Sequence, residues 1–257
     1  SSFVSKIPTA EDLKETDFIG YGHMSSDSNV IAIWNKNEKV ELANEPQEYF
    51  IALNQTSIYA ESGGQVGDRG WFKSKNAEGS ILDCKKSGKV FMHLIKLDKG
   101  SLKIDDKIEV NVNIEKREKT EAHHSATHLV HAALKRVLGD HVKQKGSLVD
   151  EHKLRFDFSH DEYLSDEEIS KIEDLVNEEI LKNSAVSTKI MDLENAKNSG
   201  AESLFGEKYE DQVRVLSIGE DDFSLELCGG THISRTGDLG IFICLLYTSP
   251  SPRDLKL

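Results

Sequence analysis

The chain has 257 residues, 30% of them charged, a formal net charge of -13 and no apolar run long enough to span a bilayer. This is the composition of a water-soluble globular protein with room for two modest domains; the acidic balance excludes broad, sequence-independent coating of nucleic acid, which needs positive potential. The three cysteines are far apart and odd in number, which excludes a disulfide framework. No signal-peptide pattern is seen, and the expected compartment is reducing: the cytoplasm, with an organelle matrix as the alternative.

Residues 1–35 read as a connector, with Thr9 placed to cap a short helix through Glu15 and a strand at 29–34. From 36 to 114, runs rich in Val, Ile, Phe and Tyr alternate with Gly, Asn, Asp and Lys, at 40–42, 49–53, 70–72, 80–84, 90–95 and 108–112. That spacing predicts a small β-barrel. The period changes at Glu115: from there to Leu138, Ala126, Leu129, Val130, Ala133, Leu134 and Val137 recur at helical spacing, and Gly139 ends the run. Strands are expected at 142–149 and 154–158, an amphipathic helix at 166–182, a strand at 186–191, a short helix near 193–198, and strands at 213–217 and 223–227. The predicted fold class is α+β, a small β-barrel followed by an α+β domain over 115–243. Residues 244–257 have neither period. Their plain reading is a flexible tail with two turn-forming prolines, and the favoured reading is a non-native tail of translated sequencing-adapter read-through, so Cys244 is set aside as a ligand.

Two short motifs carry the chemistry. His124 and His128 are four apart on the predicted helix, hence on one face, and Cys228 and His232 follow a strand across Gly229, Gly230 and Thr231. Either pair alone is commonplace. Together they offer three imidazoles and one thiolate, a donor set for Zn2+. His131 shares the face of His124 and His128 and reads as second shell or core, while the adjacent His123 reads as exposed.

With their surroundings these motifs resemble the editing domain of alanyl-tRNA synthetase, shared with free-standing alanyl-tRNA trans-editing proteins. The resemblance runs from about Thr16 to Phe242. It rests on His124-Ser125-Ala126-Thr127-His128, Gln144-Lys145-Gly146-Ser147, the run from Leu154 to His160, and Leu227-Cys228-Gly229-Gly230-Thr231-His232 followed by Arg235-Thr236-Gly237-Asp238. In the barrel it rests on the run from Gln55 to Asp68. It implies a zinc-dependent deacylase domain at 115–243 that removes serine or glycine from tRNA specific for alanine, engaging the acceptor stem and the 3′ aminoacyl adenosine, with no membrane or DNA partner. The barrel motifs look more like the synthetase-embedded version. The expectation is a fragment of an ATP-binding alanine–tRNA ligase that edits but does not charge tRNA.

An aminoacyl ester is already reactive, so the residues need only place water, stabilise the oxyanion and reject alanine. Thr127 and Gln144 are the candidates for positioning water or substrate. For Thr127 a helix-interior hydroxyl bonded to the preceding turn is the competing reading, and for Gln144 an exposed loop amide. By resemblance Thr56 reads the serine hydroxyl, with Gly229 and Gly230 also at the substrate, and Lys145 and Arg155 are candidates for phosphate contact. The Gly63-Gly64 pair is either a functional bend or a plain hairpin turn. A zincin protease fits poorly, because Ser125 stands where its general-base Glu belongs. A noncatalytic zinc-stapled RNA-binding module and a free-standing trans-editing protein remain as rivals.

Overall fold

The computed structural model describes residues 7–10, 12–203 and 210–248. The chain divides into two compact units, Ser1–Thr120 and Glu121–Leu257.

The first unit contains β1 (Asp17–Phe18), β2 (Ser25–Asn35), β3 (Glu38–Val40), β4 (Leu42–Ala43), β5 (Glu48–Leu53), β6 (Gln55–Thr56), β7 (Gly70–Lys73), β8 (Ala77–Ser87), β9 (Val90–Gly100), β10 (Leu102–Lys103) and β11 (Lys107–Val112). Strands β11, β7, β8, β9, β5 and β2 pair antiparallel in that order. β11 then pairs back onto β2, from Lys107 opposite Asn29 to Asn111 opposite Ser25, and closes a six-stranded barrel. Closure leaves these strands no open edge.

The predicted barrel is present, but its wall starts earlier than residue 36, because β2 lies within the stretch read as a connector. Its first buried positions are Ser26 and Ser28, whose hydroxyls bond each other at 3.1 Å, so the strand opens without an apolar signal. In place of the expected short helix, the described residues show one turn, in which Leu13 N donates to Ala10 O at 3.1 Å. β5 is apolar on both faces because it meets two clusters. Tyr49, Ile51 and Leu53 join Phe72, Ile81 and Ile95 inside the barrel, while Phe50 and Ala52 pack outside with Ala10, Trp34 and Met92. Gly63 and Gly64, with φ of 58° and 85°, are the central residues of a two-residue turn in which Ser62 and Gln65 exchange both backbone hydrogen bonds. This is the hairpin-turn reading of that pair.

One ion pair is sealed inside this unit. Arg117 Nε donates to both carboxylate oxygens of Asp68 at 2.9 and 3.0 Å, and its Nη atoms reach Gly20 O at 2.8 Å and Ser57 O at 3.0 Å. Asp68 also accepts from Tyr59 N at 2.7 Å. A charge removed from water is tolerable only with such partners.

Helix α1 (Ile114–Leu138) begins among residues of the first unit and continues in the second, starting one residue before the expected Glu115 and ending at the expected Leu138. The second unit adds the hairpin β12 (Gln144–Val149) and β13 (Leu154–Phe158), then α2 (Asp166–Lys182), β14 (Ser187–Asp192), α3 (Leu193–Asn198), β15 (Gln212–Ile218) and β16 (Ser224–Leu227). β14, β15 and β16 form one antiparallel sheet. α2 starts at a capping box, Glu168 Oε2 accepting from Ser165 N at 2.8 Å, and ends at Asn183 with φ of 49°. The core joins Leu129, Ala133 and Leu134 of α1 to Val176 and Ile180 of α2 and Leu216 and Ile218 of β15.

Candidate metal centre

α1 carries His124 and His128 one turn apart, and their rings stack with centroids 5.2 Å from each other. Directly after β16 the chain turns so that Cys228 and His232 meet them. The ring of His232 stands 4.4 Å from that of His124 and 5.1 Å from that of His128. One ligand atom from each of the four residues lies within 4.8 Å of all the others. Cys228 Sγ is 3.6 Å from His124 Nε2 and 3.2 Å from His232 Nε2. A tetrahedral zinc ion with ordinary bond lengths sets such sulfur–nitrogen edges at about 3.5 Å. Buried His128 Nε2 has no hydrogen-bond partner. The residues therefore fit a metal ion, on geometry, donor chemistry and an orphaned nitrogen together.

The knuckle that presents Cys228 is held from its backbone. Arg214 Nη1 donates to Cys228 O at 3.1 Å and to Gly230 O at 2.8 Å, and Gly230 N donates to Cys228 Sγ at 3.4 Å. Neither Gly229 nor Gly230 has positive φ, so the turn does not draw on the left-handed freedom of glycine that the sequence invited.

Charge favours a cation at this point. Burial raises the Cys228 thiol, but the imidazoles of His124, His232 and His128 outweigh it and bring the group well below its ordinary value. Burial disfavours a charged His128, yet the Glu226 carboxylate and the Cys228 thiolate push it up to about 10. Burial, with His124 and His128 nearby, takes His232 down to about 3 against the pull of Cys228. A thiolate and a carboxylate share one buried pocket, and positive charge between them is what they stabilise.

Three groups at this centre were not singled out from the sequence. Glu226 accepts from His128 Nδ1 at 2.8 Å and His131 Nδ1 at 3.0 Å, Ser125 Oγ lies 3.1 Å from His232 Nδ1, and Arg214 braces the knuckle. The signal for Glu226 was an acidic residue inside a strand whose neighbours are apolar. His131 is buried against the Glu226 carboxylate and so stands behind the ligand His128. His123 differs from its expected exposure. It is half-buried, with Nδ1 donating to Asp150 O at 2.7 Å, because the loop after β12 folds over that flank of α1.

The remaining candidates fall in both units. Thr127 Oγ1 donates to His123 O at 2.9 Å, the preceding-turn bond. Gln144 is half-buried at the start of β12, beside a register shift that falls at Lys145. Arg155 is exposed and bonded to Asp157 at 3.1 and 3.2 Å. Thr56 is wholly buried in the barrel unit, its Oγ1 2.9 Å from His93 Nε2 and accepting from Ile58 N at 3.1 Å.

A family model described as "tRNA synthetases class II (A)" matches residues 3–116, and one described as "Threonyl and Alanyl tRNA synthetase second additional domain" matches residues 213–253. Together they support an alanyl-tRNA synthetase editing-type domain. The first match takes in the closed barrel, and the second takes in β15, β16 and the Cys228–His232 knuckle of the metal centre. Its work is therefore tRNA editing or aminoacylation-related, and tRNA is its partner. Among the described residues of this editing-type domain no helix is long and apolar enough to cross a membrane.

Proposed function

We propose that this editing-type domain hydrolyses the ester joining serine or glycine to the terminal adenosine of tRNA specific for alanine, as the editing portion of a cytoplasmic alanyl-tRNA synthetase. The observation that carries the reading is the convergence of His124, His128, Cys228 and His232 within 4.8 Å, two of the four lying in the stretch matched by the second additional domain. Zn2+ is the proposed occupant, held by those four side chains. It would supply a Lewis acid to polarise or orient the ester once one of the four ligands gives up its position.

The chain's own residues do the rest. With Thr127 giving its proton to the His123 carbonyl, its oxygen is an acceptor that orients a water or the substrate amine. Gln144 offers an amide that both donates and accepts, and Gly229 and Gly230 line the substrate side of the knuckle. Thr56 is the proposed reader of the serine hydroxyl. A carbonyl only accepts, so His93 Nδ1, 3.4 Å from Ile51 O, carries the ring hydrogen, and Nε2 takes the hydroxyl proton of Thr56. The Thr56 oxygen is left with a lone pair to which serine can donate and alanine cannot.

A second reading has one observation in its favour. Four protein ligands close a zinc site, which is the pattern of structural sites. Hydrolysis of Ser-tRNA and Ala-tRNA carrying the alanine acceptor stem, with wild type and Cys228→Ala side by side, separates the two. Serine lost preferentially, and only with wild type, supports editing; no hydrolysis by a folded, zinc-loaded protein supports a noncatalytic tRNA-binding module.

A further inference from the structure

We propose that Glu226 is the positioning residue of the metal centre, a single carboxylate that fixes one ligand imidazole and is itself fixed by a second imidazole outside the ligand set. The inference rests on the metal reading above. Glu226 lies on β16, two residues before Cys228, so the strand that delivers the thiolate also delivers the carboxylate. It is 4% exposed, a position where an acidic side chain persists only when its oxygens are filled. Its Oε2 accepts from His128 Nδ1 at 2.8 Å, and its Oε1 accepts from His131 Nδ1 at 3.0 Å and from the Ser224 hydroxyl at 3.2 Å.

Because a carboxylate only accepts, the bond to Oε2 places the His128 ring hydrogen on Nδ1 and leaves Nε2, the atom with no other partner, as the donor toward Cys228, His124 and His232. His131 sits one turn beyond His128 on α1, with its ring 5.4 Å from that of Phe156. Its Nδ1 holds Oε1, so the carboxylate cannot rotate away from His128. His232 rests on a neutral partner instead. His232 Nδ1 meets the hydroxyl of Ser125, an oxygen that also accepts from Ile233 N at 3.3 Å. His128 is thus held by a charged acceptor where His232 meets a hydroxyl, and Glu226 supplies that acceptor.

The test is metal affinity in the whole chain, read with Zn2+ against a chromophoric chelator and with Co2+ by its visible absorption. Glu226→Gln retains the shape but can accept from only one of the two imidazoles, and about a tenfold to hundredfold loss of Zn2+ affinity is expected. The Co2+ bands of a distorted tetrahedral site should weaken with it, and the His128 Nδ1 proton, expected to exchange slowly in the zinc-loaded wild type by nuclear magnetic resonance, should exchange faster. A Glu226→Gln protein within twofold of wild type, with the same Co2+ spectrum and the slow exchange retained, overturns the proposal. If that variant does not fold, His131→Leu decides. It leaves the four ligands and Glu226 in place, and it should lower affinity about threefold to tenfold, whereas unchanged affinity overturns the role. Wild type that takes up neither metal sinks the metal reading itself, an outcome distinct from a Glu226 failure.

Discussion

The barrel and the second unit both bury polar side chains, but they dispose of them differently. In the barrel, Asp68 and Arg117 satisfy each other and three backbone groups, and Thr56 and His93 close on one another and on the backbone. In the second unit, His128 Nε2 is buried without a partner where a thiol sits among three imidazoles. Ser57 Oγ is the barrel's exception among the described residues. Buried polar groups that complete one another hold a fold together, whereas several that converge on one point and stay unfilled describe a ligand.

The sharpest way to break that contrast is to remove a donor. Cys228→Ala is expected to weaken Zn2+ binding about a hundredfold to a thousandfold, a quarter of the free energy typical of a four-ligand site, and to leave the barrel's unfolding unchanged. Affinity equal to wild type in a chelator competition would put the second unit's cluster on the same footing as the barrel's. Arg117→Met should cost about 3–5 kcal/mol in denaturant unfolding, because Asp68 is stranded as a buried charge, while Zn2+ affinity stays put. Loss below about 1 kcal/mol would mean that the pair is not holding the barrel.

Acid sharpens the contrast from the barrel side. Burial outweighs its backbone hydrogen bonds and takes His93 down to about 4, below the ordinary 6.5. The unfolded chain therefore binds the proton first. The contribution of His93 is fully present above pH 6.5 and fades as pH falls toward 4, by about 2–3 kcal/mol at pH 4.5. Denaturant unfolding at pH 7 and pH 4.5 should show wild type losing that much more than His93→Phe, and equal losses would place the acid sensitivity elsewhere. The smallest effect is expected at Thr56→Val: about 1–2 kcal/mol of stability, with a fall in the ratio of serine to alanine ester hydrolysis. An unchanged ratio would return Thr56 to a purely internal partnership with His93.

Legibility in the sequence followed the physical signal. α1 and α2 were read at or within a residue of their bounds, because long amphipathic periods and the Ser165–Glu168 capping box leave little choice. The four donors were legible because residue type and spacing alone define them, and the structure brings all four together. The first barrel strand was not, because it opens on serines that satisfy each other inside the wall. Glu226 escaped for a related reason. A lone acidic residue in a short strand reads as solvent-facing, and only the fold reveals that His128 and His131 are waiting for its oxygens.

The sealed pair of Arg117 and Asp68 has a consequence for inheritance. Arg117 belongs to the first turns of α1, yet its guanidinium is committed to an aspartate that precedes β7, to the carbonyl of Gly20 and to that of Ser57. A gene fusion that carried the barrel away at Val112, its last strand residue, would deliver it with a buried carboxylate and no counter-ion, whereas one extending to Thr120 would bring the cation along. The heritable module is the barrel plus the opening of a helix whose later turns bear metal donors. Positions 68 and 117 can drift only as a pair.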